Sequence, residues 1–212
     1  EHPAVYNMAI ELKNSGYIVE FIGLKQDGTI DENELKNRLG NDVCLVSIMH
    51  VNNETGAIND IKSISKMVKS VNKNILLHCD GVQAFGKIKV NVAELGVDFY
   101  TLSAHKLHGP KGVGALYVKN GINLKPFILG GGQQSGLRSG TENVSGILGF
   151  EKACEIALTK IDENYAHVKN LKQILLDNVK DCEIVAKDTS SPYITMLLYS
   201  GVRSETILHM LE

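Results

Sequence analysis

A chain of 212 residues is long enough to bury a substantial core, and 43% hydrophobic with 22% charged residues is the balance of an ordinary globular protein. Twenty-two basic against 24 acidic residues give a formal net charge of -2, which argues against nucleic acid as the main partner, because phosphate binding shows as a basic excess. Cys44, Cys79, Cys154 and Cys182 are too scattered for zinc clips or a disulfide framework, and no apolar run of about 18 residues offers a membrane span, so reduced thiols in a cytoplasmic protein are expected.

In chain order, apolar spacing at Val5, Met8, Ala9 and Leu12 predicts a helix stopped by Gly16, and YIVEFIG then reads as a short strand. After the turn KQDGT, Asp31 and Glu34 form a capping-box-like start for the helix DENELKNRL. The alternation is then regular. VCLVSIM reads as strand, DIKSISKMVKSV as helix, ILLHC as strand, NVAEL as a short helix, and VDFYTLS and GVGALYV as strands. Strands alternating with helices predict an α/β fold whose mostly parallel sheet is flanked by helices.

Residues 143–181 are mostly helical and too long for one unbent helix; CEIVA and PYITMLLY follow as short strands before a last helix. The expected organisation is therefore a core over 1–160 and the start of a smaller, incomplete α+β domain over 161–212. The opening at Glu1 and the end inside a helical pattern give the further expectation of a fragment.

Three predicted strands each run into a polar cluster at their carboxyl end: HVNNETG, DGVQ and AHKLHGPKG. Ligands of open α/β sheets bind outside those ends, so the clusters should converge on one crevice containing Asn53, Asp80, Gln83, Ser103, His105 and Lys106. A lysine in such a place is either a phosphate charge or a nucleophilic amine. With an acidic residue on a neighbouring strand, it matches the pairing that pyridoxal phosphate sites use.

Each residue also has a duller reading. Asp80 can be a turn residue, His50 and His78 structural histidines, and Lys111 a solvated loop charge. His105 and His108, with His78 and Asp80, have no compact metal-ligand spacing. GGGQQSGLRSGT matches neither a dinucleotide nor a Walker pattern; it is either a flexible surface loop or backbone passing close to a ligand or another subunit, with Arg138 and Thr141 as anion donors.

The segments EHPAV, SIMHVNNETGAI, HCDGVQAFGK, SAHKLHGPKGVGALYV and GGGQQSGLRSGTEN stand in order over nearly the whole chain, and together they resemble the NifS-type cysteine desulfurases. These are class V aminotransferase-like, fold-type I enzymes using pyridoxal 5'-phosphate. The resemblance implies that Lys106 carries the cofactor covalently and then acts as base, while Asp80 pairs with the ring nitrogen. Gln83 would bond the ring oxygen, and Ser103 and His105 would hold the phosphate. His2 would stack on the ring and move protons, Asn53 would lie beside ring and substrate carboxylate, and Thr141 would reach the partner's phosphate in a homodimer.

It further implies L-cysteine as substrate, L-alanine and an enzyme persulfide as products, and an iron–sulfur scaffold or other sulfur acceptor as partner. In the family the nucleophilic cysteine follows a helix resembling ETILHMLE, so it is expected past residue 212, and none of the four cysteines present has its context. The competing readings are a selenocysteine lyase, a class V aminotransferase, or a non-catalytic core that dimerises or binds a scaffold.

Overall fold

The computed structural model describes residues 1–211. They divide into two compact units. One comprises Gly40–Ile48 and Ile61–Ile161; the other combines Glu1–Leu39, Met49–Asp60 and the chain from Asp162 onward.

The expected α/β architecture is present. Strands β1 (Leu45–Met49), β2 (Leu76–Asp80), β3 (Phe99–Ser103) and β4 (Gly114–Val118) form one sheet in that order. β2 and β3 run parallel, with Asp80 opposite Thr101, and β4 returns antiparallel to β3. α1 (Pro3–Asn14), α2 (Glu32–Arg38), α3 (Ile61–Val71), α4 (Val92–Leu95), α5 (Val144–Thr159), α6 (Ile161–Asn178) and α7 (Ser204–Leu211) complete the helices. A second sheet pairs β5 (Glu183–Val185) with β6 (Met196–Leu198) antiparallel.

In the unit built on the sheet, α3 buries Ile61, Ile64, Ser65 and Val68, one face at helical spacing. Ile75, Leu77, Cys79, Val97 and Tyr100 supply the sheet side of this core. His78 is held within it: its Nδ1 lies 2.7 Å from Ser47 Oγ and its Nε2 2.7 Å from Thr101 Oγ1, so side chains of three successive strands meet on one ring. Its structural reading is the one realised. The helical stretch after Asn143 breaks at Lys160 into α5 and α6, as its length predicts.

In the other unit, the turn after β1 is clasped by the segment before β6. Ile58 N–H donates to Thr189 O at 3.0 Å and Ser191 N–H to Gly56 O at 2.8 Å. Lys172 of α6 donates to Ser190 Oγ at 2.6 Å and to the carbonyls of Ser191 and Ile194 at 3.1 Å each. His50 is buried here, and loss of hydration pushes its pKa down from 6.5 to about 4 against the opposing pull of Asp60.

Because the folded value lies below the unfolded one, the unfolded chain binds the proton first as pH falls. The stability held by neutral His50 is complete above about pH 6.5 and is lost on descent towards pH 4, a difference of roughly 3 kcal/mol. Urea unfolding across that window should show the loss, and His50→Gln should flatten it. An unchanged slope in the variant would refute the assignment.

Two sequence expectations fail. YIVEFIG forms no strand: only an isolated bridge, Leu24 to Ile30, lies nearby, and Ile18 is 91% exposed. Its β-branched and aromatic residues supply strand propensity, but the segment pairs with none of the described strands. The capping box is also half-formed. Asp31 caps α2 by accepting from the N–H groups of Asn33 and Glu34, but Glu34 accepts from Gly23 N–H at 2.8 Å, so its carboxylate ties down the preceding loop. The helix α1 is present, yet none of its apolar face is buried.

Candidate functional site

Asp80 ends β2 and is buried, its Oδ1 accepting from Val82 N–H at 3.0 Å. The turn that follows is fixed by Gly81, whose N–H donates to Thr101 O at 3.0 Å. A Cβ on Gly81 would stand 1.8 Å from the Tyr100 ring, so only glycine lets β2 leave the sheet across that buried side chain. The turn delivers Gln83, also buried. Lys87 Nζ donates to Gln83 Oε1 at 2.6 Å.

On the neighbouring parallel strand, Ser103 ends β3 and the chain enters a short 3-10 turn, Ala104–Leu107. Ala104 and Leu107 sink into a cluster with Phe150 and Ala153 of α5, leaving His105 and Lys106 between two buried residues. The turn is closed by His108 in the left-handed region, at φ 63°, and by Gly109 N–H donating to Ala104 O at 3.0 Å. Helix α5 approaches closely because it presents Gly149 here: a Cβ there would meet Pro110 Cγ at 2.6 Å. Ser103 Oγ and His105 Nδ1 are 2.7 Å apart, a hydroxyl–imidazole pair one residue before the lysine.

Asp80, Gln83, Ser103, His105 and Lys106 therefore all belong to one unit and stand after the carboxyl ends of two adjacent parallel strands. An amine, a buried carboxylate, an amide and a hydroxyl–imidazole pair can together bind an aldehyde, a basic ring nitrogen, a ring oxygen and an anion. Lys87 joins them as a cation the sequence reading passed over. Burial, and then the Lys106 charge, lower its pKa from 10.5 to about 8. Its signal was present: Lys87 stands four residues after Gln83 within HCDGVQAFGK.

The remaining site candidates are His2, Asn53 and Thr141, of which Thr141 shares the unit of Asp80 and Lys106. His2 and Asn53 belong to the second unit. His2 caps α1, its Nδ1 accepting from Ala4 N–H at 3.1 Å, and Asn53 sits half-buried in the turn after β1. Thr141 is exposed beyond a glycine loop that closes on itself, with Ser139 Oγ donating to Gly131 O at 2.7 Å and Arg138 donating to Ser139 O at 3.2 Å. Gln134 and Ser135 take positive φ within it.

A concavity of about 660 Å³ opens among Lys62, Lys66, Lys69, Lys73, Lys119 and Asp98. It includes Leu76, where β2 begins, and so lies away from the carboxyl ends that present the residues above. Asp98 is its buried centre: it accepts from Leu77 N–H at 2.8 Å, pairs closely with Lys69, and lies 3.6 Å from Lys119. Of the cysteines, Cys79 is buried and the Cys154 thiol is pushed up by burial, the opposite of what a nucleophile needs. No helix among the described residues is long and apolar enough to cross a membrane.

The chain is similar over most of its length to known proteins. A cysteine desulfurase of Nostoc sp. is 40% identical over 213 residues, covering 98% of this chain and 53% of its own length. The cysteine desulfurase IscS 1 of Archaeoglobus fulgidus is 43% identical over 183 residues, covering 86% of this chain and 47% of its own length. Among solved structures, a NifS-like protein superposes with a TM-score of 0.96 at 37% identity, covering all of this chain and 59% of that one. DndA from Streptomyces lividans gives 0.89 at 31% identity, covering all of this chain and 61% of that one. The chain spans about half the length of the curated relatives it matches. The family model for class-V aminotransferases matches residues 1–212 from end to end, and it is to this family that the chain belongs.

Proposed function

We propose that this chain is the cofactor-binding part of a cysteine desulfurase that uses pyridoxal 5'-phosphate to take sulfur from L-cysteine, leaving L-alanine and a persulfide on an enzyme cysteine. The observation that carries the reading is the placement of buried Asp80 and of the Ser103–Lys106 turn beyond the carboxyl ends of adjacent parallel strands. The resemblance to proteins called cysteine desulfurase supports it.

The donor set fits this cofactor. Lys106 would hold its aldehyde carbon covalently, Asp80 would face the ring nitrogen, Gln83 would donate to the ring oxygen, and Ser103 with His105 would hold the phosphate. Bound there, pyridoxal phosphate supplies an electron sink for the pair left when Cα loses its proton. Lys106 would be the base that takes that proton and returns it at the end. Asp80 would keep the ring nitrogen charged. His2 and Asn53 serve the ring face and the substrate carboxylate, and Thr141 the partner's phosphate in a homodimer.

In the whole enzyme, residues 1–160 belong to the large domain and 161–212 begin the small one. The protein acts in the cytoplasm and hands sulfur to an iron–sulfur scaffold or another acceptor. The test is the visible spectrum of the full-length protein after incubation with pyridoxal phosphate and desalting, beside Lys106→Ala, followed by an assay for alanine from L-cysteine. A yellow band lost in the variant, with alanine formed only by the parent, is expected. A band that persists in Lys106→Ala would sink the assignment of the lysine; a parent protein without band or alanine would sink the reading.

A further inference from the structure

Lys87 lies outside the set of groups assigned to the cofactor, yet it is partly buried and bonded to one of them. A lysine ammonium carries three donors and no acceptor. The Gln83 atom 2.6 Å from Lys87 Nζ must therefore be the carbonyl oxygen, and the orientation of the amide is decided by chemistry. With Oε1 committed to Lys87, Gln83 offers its NH₂ to any ligand.

We propose that Lys87 is a positioning residue that locks the Gln83 amide in its donor orientation, so that Gln83 stabilises the anionic form of the cofactor's ring oxygen. The proposal rests on the pyridoxal phosphate reading above. An unconstrained glutamine could present either end to a ring hydroxyl, as acceptor to the neutral form or donor to the anion; a cation behind it removes the first choice.

The packing supports a fixed arrangement. Gly86, next to Lys87, sits so tightly on the turn carrying Lys106 that a Cβ there would stand 2.5 Å from Leu107 Cδ2 and 3.2 Å from Ala157 Cβ of α5. The titratable groups on the surrounding elements include His78, Cys79 and Asp80 of β2, Tyr100 of β3, His105, Lys106 and His108 on and after the 3-10 turn, and Glu151, Lys152, Cys154 and Glu155 of α5. The Lys106 charge acts on Lys87. Below about pH 8 the Lys87 amine is charged and the amide is held.

The test uses the full-length protein loaded with pyridoxal phosphate and reads the pH at which its yellow band is half lost, in the parent, Lys87→Met, Gln83→Leu, the double variant and Lys87→Arg. A donor at the ring oxygen favours its anion, so losing it lets the yellow form persist to higher pH. Lys87→Met and Gln83→Leu should each raise the midpoint by about half a unit to one unit. The double variant should shift no further than Gln83→Leu, since Lys87 acts through Gln83. Lys87→Arg, again all donor, should keep the parental midpoint.

A parental midpoint in Lys87→Met, or additive shifts in the double variant, overturns the proposal. If the Met variant does not fold, the Arg variant decides: a midpoint moved as far as in Gln83→Leu overturns it and the parental midpoint supports it. A parent that takes no band, or a band that survives Lys106→Ala, overturns the cofactor reading itself and this proposal with it.

Discussion

Replacing Asp80 by Ala in the full-length enzyme should lower kcat/KM for alanine release by on the order of a hundred- to a few-thousand-fold, whereas Ser103→Ala should cost only about two- to tenfold. The difference comes from what each group faces. Asp80 is buried and, on the proposed reading, would face the positively charged ring nitrogen that draws electrons away from Cα, so its loss would leave that charge without its partner. Ser103 is half-buried and shares its task with His105, whose Nδ1 is 2.7 Å away. Cofactor content must be measured in the same samples by absorbance, so that lost binding is not counted as lost chemistry. Equal losses in the two variants at equal cofactor content would show that Asp80 is not the charge partner.

The second large effect is on stability. Asp98→Ala is expected to cost about 3–5 kcal/mol, a fall in Tm on the order of 10 °C for a chain of this size. The carboxylate accepts from Leu77 N–H, pairs closely with Lys69 and attracts Lys119. Lys69 also donates to Ile75 O at 2.6 Å, so after the substitution its ammonium stays tethered beside the missing charge. Leu77 N–H, buried near the start of β2, loses its acceptor as well. Calorimetry on parent and variant decides. A Tm change of a degree or two would show that Asp98 is as replaceable as a surface charge.

The sequence made the sheet legible because its strands are short apolar runs bounded by turn residues, and ILLHC and VDFYTLS lead into DGVQ and AHKLHGPKG with nothing between. The carboxyl-end rule then named Asn53, Asp80, Gln83, Ser103, His105 and Lys106 as one group; the last five share one unit and Asn53 belongs to the other. What escaped depends on contacts that linear spacing does not encode. The Glu34 carboxylate reaches back eleven residues to Gly23 instead of closing its own cap. YIVEFIG has the composition of a strand without a described partner edge. Lys87 stands in plain view within HCDGVQAFGK, but its importance comes from turning back onto Gln83 and from the nearness of Lys106.

The way the two compact units share the chain bears on how the polypeptide finds its shape during synthesis. The unit built on the sheet is nearly continuous, from Gly40–Ile48 and Ile61–Ile161, so almost all its contacts become available once the ribosome has passed α5. The other unit joins Glu1–Leu39 and Met49–Asp60 to chain that begins only at Asp162, so its closure waits for a segment made about a hundred residues later. Vectorial emergence therefore favours the unit bearing Asp80 and Lys106 maturing first, with the turn after β1 waiting for the backbone of Thr189 and Ser191 that clasps it. Slow codons or pauses between Thr159 and Asn178 would be tolerated by the first event and felt by the second.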